Sequence, residues 1–176
     1  FVLLLLLSSW PVMTFTATLN PDWEQRVLTQ KNDPVKKSKK RLTQGFSRVF
    51  GRTDICFSFA FEGKTKRAPI EQTKLHLHGF VQWDELVDTV GNAKEAKAML
   101  EEVLQYAVGH TARGNSYVAR SVKADPLRPG ITRFGWSPGS RAWTNYMFGR
   151  IASPDDRMGL KRFGMSREGV QTACDF

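Results

Sequence analysis

Three stretches of this 176-residue chain alternate in side-chain character at a period of two, and that pattern restricts the fold more than any other feature. In VMTFTAT, Thr14, Thr16 and Thr18 alternate with Met13, Phe15 and Ala17. In DICFSFAFE, Phe57, Phe59 and Phe61 alternate with Ser58, Ala60 and Glu62, and in KLHLHGFVQW, His76 and His78 alternate with Leu75 and Leu77. Successive side chains of a strand point to opposite faces, so each stretch predicts a strand, half-buried in the phenylalanine run. The apolar opening FVLLLLLSSWP reads as the start of the first strand, a buried central one. It has no basic residues ahead of it and is too short to span a bilayer; a signal peptide that has lost its start would look similar, and the strand is the preferred reading. The chain starts at Phe1 rather than at a methionine, which is compatible with a missing upstream piece.

Between the strands the helix signals are clear. Asn20 can cap a helix that has Pro21 at its first position and Asp22 and Glu24 in its first turn. The run NDP, residues 32–34, interrupts it, and a second helix follows with Val35, Leu42, Phe46 and Val49 as an apolar stripe beneath a lysine-rich face. The turn-forming, charged segment GKTKRAPIEQT predicts a long exposed hairpin loop ahead of the histidine strand. From Asn92 to Gly109, Ala96, Met99, Val103 and Ala107 recur at helical spacing before a stop glycine. His110 just beyond is expected to be a C-terminal cap or surface residue without chemistry. SYVARSVKA predicts a strand broken by DPLRPG, and a last helix is expected to open near Ser137 to Ser140 and to end before Pro154.

In order, these elements predict an α+β fold. It is a ferredoxin/RRM-like antiparallel β-sheet, βαββαβ, with helices packed on one face and an added C-terminal helix. The other face would stay open for a ligand. Residues 1–152 are expected to form one domain, and residues 153–176, basic and glycine-punctuated, a loosely ordered extension.

His76 and His78 would share a strand face about 7 Å apart, close enough to converge on one metal ion or phosphate. The plainer alternative is two surface histidines on the polar side of a half-buried strand. A metal site needs a third ligand, for which an acid is the natural donor. Glu62 ends the strand expected to pair with the histidine strand, and Glu71 lies in the loop before it; Glu62 is preferred.

On the last helix, Trp143, Met147 and Ile151 form the core stripe, while Tyr146 lies off it, one turn before Arg150. Tyr146 is either a boundary aromatic or a nucleophile that attacks a phosphodiester to form a covalent phosphotyrosine. A phenol with pKa near 10 needs help at neutral pH. A histidine-bound divalent cation and Arg150 would supply it.

Lysine and arginine total 26 against 17 acids, a net charge of +9 that points to a polyanion partner. Lys36, Lys37, Lys39, Lys40 and Arg41 are the candidate phosphate contacts. Two cysteines, Cys56 and Cys174, make no disulfide framework, and a reducing, cytoplasmic setting fits.

Three segments in this order resemble the HUH endonucleases, the superfamily of rolling-circle replication initiators, conjugative relaxases and related transposases. VMTFTATLNP looks like the first replication-initiator motif, LHLHGFVQW matches the histidine, hydrophobic, histidine motif, and WTNYMFGR resembles the tyrosine motif. The resemblance spans roughly residues 10–152, and only the histidine motif is specific on its own. It implies a site-specific nickase of single-stranded or hairpin origin DNA, with His76 and His78 as metal ligands, Tyr146 as covalent nucleophile and Mg2+ or Mn2+ as cofactor. Arg150 stands where the replication-initiator motif usually carries a lysine, a change that keeps the charge and alters its hydrogen bonding. One tyrosine in the last helix points to the single-tyrosine branch.

No G-x-x-x-x-G-K-[ST] run occurs in these residues, so unwinding is expected from a separate helicase. A relaxase or transposase of the same superfamily shares this chemistry, and a non-catalytic nucleic-acid-binding module would use the basic helix and strand aromatics alone. Neither alternative calls for a membrane partner.

Overall fold

A computed structural model describes residues 12–29, 33–63, 74–110, 122–126 and 163–174. The three alternating stretches form neighbouring antiparallel strands, β1 (Val12–Thr18), β2 (Phe57–Glu62) and β3 (His76–Gln82), with β3 between the other two. Strand β4 (Val122–Pro126) pairs with β1, and β5 (Phe163–Met165) pairs with β2, giving an open antiparallel sheet of order β4-β1-β3-β2-β5. The fold is α+β, and the order β4-β1-β3-β2 is compatible with a ferredoxin-like arrangement.

The helices start and stop where side-chain chemistry dictates. In α1 (Pro21–Thr29) the Asn20 side chain accepts a hydrogen bond from the Asp22 N–H at 3.0 Å. In α2 (Pro34–Phe50) Asp33 accepts from the N–H groups of Val35 and Lys36, Pro34 takes a first-turn position and Gly51 ends the helix at φ 69°. After α3 (Trp83–Val90) a short turn leads to α4 (Ala93–Ala107), capped by Asn92. Gly109 at φ 85° closes α4: its N–H donates to Tyr106 and the N–H of His110 to the carbonyl of Gln105. That pairing satisfies carbonyls the helix would otherwise leave exposed. A last helix, α5, spans Arg167–Cys174.

One apolar cluster joins the sheet to the helices. Met13, Phe15 and Ala17 of β1, Phe57, Phe59 and Phe61 of β2, and Leu77 and Val81 of β3 lie in it together with Leu42 and Phe46 of α2 and Leu100 and Val103 of α4. The described helices that feed the core therefore cover the phenylalanine face, and each fully buried Phe or Leu contributes about 1.5–3 kcal/mol. Gly79 makes room for this packing: a Cβ there would sit 2.3 Å from both Phe15 Cζ and the Ser58 carbonyl oxygen. The glycine lies directly opposite Phe15 in the β1–β3 register.

Several expectations need correction. Strand β2 is buried at all six positions rather than on one face. Ser58, Ala60 and Phe80 are also enclosed, so the face opposite the helices is not open across its middle. Small Ser58 and Ala60 leave room for that closure, and Phe80, opposite Ser58, adds apolar surface to bury. The strand after α4 runs through Asp125 and Pro126, expected to break it; as an edge strand it tolerates a proline that an interior strand would not.

Helix α3 was not expected, because Trp83 reads as the last strand aromatic. The run from 163 to 174, assigned to a loosely ordered extension, instead supplies edge strand β5 and α5, and Ser166 is buried, its Oγ accepting from the Phe57 N–H at 3.2 Å. Of the two places expected for His110, the helix end is the one it takes, its N–H donating to the Gln105 carbonyl, and it is buried there rather than on the surface. Residues 1–11, most of the loop before β3 with Glu71, and the segment bearing Tyr146 and Arg150 lie outside the described residues. No described helix is long and apolar enough to cross a membrane.

Candidate functional site

The pairing register brings three of the expected site residues together. His76 lies opposite Thr18 on one side and Glu62 on the other, while His78 lies opposite Thr16 and Ala60. Side-chain alternation places both imidazoles and the Glu62 carboxylate on the face away from the phenylalanine core. The His76 and His78 rings are 6.0 Å apart between centroids and tilted by 38°.

Glu62 reaches diagonally to His78, Oε2 lying 2.7 Å from Nε2, with only about a tenth of either side chain exposed. A buried carboxylate and a buried imidazole each need such a partner, since burying either alone is costly. On the other side of β3, the Nδ1 atoms of His76 and His78 are hydrogen-bonded to the hydroxyls of Thr18 and Thr16, both at 2.9 Å. Burial pushes the His76 imidazole below its ordinary pKa; the neighbouring His78 adds to this, Glu62 opposes it, and Lys74 adds to it again.

This donor set suits a divalent cation in its chemistry: an imidazole–carboxylate mixture fits Mn2+, or Mg2+ with several waters retained. Among the described residues, however, no three His, Cys, Asp or Glu side chains converge as a metal cage. His76 stands beside the His78–Glu62 pair without closing it. The chemistry available is that of a hydrogen-bonded acid–base pair with a second imidazole alongside.

Sequence reasoning missed Thr16 and Thr18. Their signal was the alternation already visible in VMTFTAT, which matches the His-x-His period; the opposition of the two needs the register. His110 approaches the same corner: its Nε2 donates to the Thr18 carbonyl at 3.3 Å, since a carbonyl can only accept.

The candidate phosphate-binding residues divide. Lys36 and Lys40 are exposed and Lys37 and Lys39 partly so, all on α2, in the layer across the sheet from the imidazoles. Arg41 is committed internally. Its guanidinium lies 4.4 Å from the Trp23 ring centroid and 4.6 Å from that of Tyr106, and it donates to the carbonyls of Tyr106 and Ala107 at the end of α4. Burial lowers its pKa, opposed by Tyr106 and reinforced by Arg26. A guanidinium held between two rings and two carbonyls is a structural clamp rather than a phosphate contact.

No family model, curated protein or solved structure matches this chain.

Proposed function

We propose that the protein is a metal-dependent single-strand DNA nickase and strand-transferase of the HUH type, initiating rolling-circle replication through a covalent 5′-phosphotyrosine. The observation that carries this reading is the grouping of His76, His78 and Glu62 on one face of an antiparallel sheet, with His78 and Glu62 paired at 2.7 Å. A strand order compatible with a ferredoxin-like sheet supports it, as does the resemblance of the first and third segments to the replication-initiator motifs.

In this reading His76, His78 and Glu62 would hold Mg2+ or Mn2+, which when bound would supply charge stabilisation at the scissile phosphate. Tyr146 Oη forms the new P–O bond, losing its proton, as the bond to the 3′ oxygen breaks; that oxygen leaves with a proton as a free 3′ hydroxyl. Arg150 neutralises a phosphate oxygen. The lysines of α2 hold the flanking backbone, and a separate helicase opens the duplex.

The test is incubation of the full chain with Mn2+ and a pool of single-stranded and hairpin oligonucleotides, followed by denaturing gels for a covalent adduct. The parent should form the adduct, Tyr146→Phe should bind DNA without forming it, and His76→Ala and His78→Ala should suppress cleavage. An adduct that persists in Tyr146→Phe, or none in the parent across the pool, overturns the reading.

A further inference from the structure

The threonine ladder of β1 has no role in the chemistry set out above, yet it matches the histidine strand residue for residue. Thr16 and Thr18 lie directly opposite His78 and His76, and each hydroxyl is 2.9 Å from the Nδ1 of its imidazole. An imidazole that ligates through one nitrogen is oriented by the hydrogen bond its other nitrogen makes. At His76 no hydrogen-bond partner of Nε2 is found among the described residues, whereas Nδ1 has the Thr18 hydroxyl. The Thr18 hydroxyl can accept from a protonated Nδ1 or donate to a bare one; a ring that offers its Nε2 lone pair to a cation must carry its proton on Nδ1, where that hydroxyl stands 2.9 Å away to accept it.

The backbone under Thr18 is itself held in place. His110 Nε2 donates to its carbonyl, and the N–H groups of the next two residues, Leu19 and Asn20, donate to the carbonyls of Leu75 and Val108 at 2.9 Å each. The hydroxyl is thus presented from a strand end pinned to both β3 and the end of α4.

Resting on the metal-site reading above, we infer that Thr18 is a positioning residue that holds His76 as its Nδ1–H tautomer and leaves the Nε2 lone pair for a divalent cation. Thr16 does the same for His78 once a cation replaces the hydrogen bond between His78 Nε2 and Glu62. The paired Thr-x-Thr and His-x-His strands then act as one unit, with β1 setting the protonation pattern that β3 presents.

The experiment uses Thr18→Val, which removes the hydroxyl while keeping a β-branched strand former, and Thr18→Ser, which restores it. Long-range proton–nitrogen NMR of the metal-free chain, above the imidazole titration range, should show His76 protonated on Nδ1 in the parent and in Thr18→Ser. It should show a shift toward Nε2–H in Thr18→Val. Titration calorimetry with Mn2+ should show affinity reduced about 10–100-fold in Thr18→Val and largely recovered in Thr18→Ser.

A parent His76 protonated on Nε2, or a tautomer unmoved by Thr18→Val, overturns the inference. So does Mn2+ binding that is equally tight in the parent and Thr18→Val, an outcome that leaves the metal site standing. A parent that binds no Mn2+ overturns the metal reading instead, while the NMR result still decides what Thr18 does to His76.

Discussion

Glu62 Oε2 lies 2.7 Å from His78 Nε2 although the two residues are diagonal, not opposite, across β2 and β3; the residue opposite Glu62 is His76. One carboxylate thus serves a two-histidine strand from its end, and its loss is felt by both rings. Glu62→Ala should destabilise the fold by about 1–3 kcal/mol, the cost of leaving a buried polar group unsatisfied. Urea unfolding followed by circular dichroism measures this, and an unchanged midpoint would mean that water replaces the carboxylate freely.

Stability should fall as the pH drops below the ordinary imidazole range. Burial lowers the His76 pKa in the folded state, so the unfolded chain binds the proton more readily. The contribution is complete above the unfolded pKa of about 6.5 and is lost as acidity increases toward the lowered folded value. His76→Gln should flatten this part of the stability profile, as read from urea midpoints across that range.

Gly79→Ala should be among the most damaging small substitutions in the sheet. The added methyl would meet the Phe15 ring and the Ser58 carbonyl, and the latter is backbone that cannot turn aside. Overpacking of this kind costs typically about 1–3 kcal/mol. Thermal unfolding should show the loss, and Phe15→Leu combined with Gly79→Ala should recover only part of it, because the carbonyl contact remains.

Arg41 and the lysines of α2 should separate in a DNA-binding assay. Arg41→Ala removes the clamp between Trp23 and Tyr106 and should lower stability by about 0.5–2 kcal/mol. Changing Lys36 and Lys40 together to alanine should instead leave stability nearly unchanged and flatten the salt dependence of DNA binding. Fluorescence anisotropy over a salt series, beside denaturation of the same variants, distinguishes the two effects.

Cys56 should resist thiol reagents in the folded chain. It is 4% exposed, and burial, with smaller contributions from Glu85 and Glu168, pushes its thiol up to about 11. In a Cys174→Ser background, a disulfide reagent at neutral pH should label Cys56 only after denaturant is added.

Much of this architecture was legible in the chain because its signals are local. Alternation gave β1, β2 and β3, and Asn20, Asp33 and Asn92 sit at helix starts as their side chains allow. Helix α3 carried signals too, with Asp84 and Glu85 in its first turn and Gly91 after its end, but Gln82 gives it no side-chain cap and Trp83 continues the strand aromatics. Strand β5 is three residues long and pairs with β2 about a hundred residues upstream, so no local pattern announces it.

The histidine pair could be read from spacing, and Glu62 could be preferred as its neighbour. The threonine contacts could not, because they arise only when β1 and β3 pair in one register rather than another. The same limit explains Arg41. Its place in a lysine-rich run gives no hint that two rings from distant helices enclose it.

The sheet stands as a wall between the imidazoles and the α2 lysines, and this has a consequence for anything that touches both. A polyanion gripping the lysines cannot pass through to the histidines and has to travel around a border of the sheet. At the β5 border the route is short, since Gly164 there packs against Val35 near the start of α2. A bound strand would thus bend around that rim, and its protected footprint would be longer than a pocket on either side alone could shield.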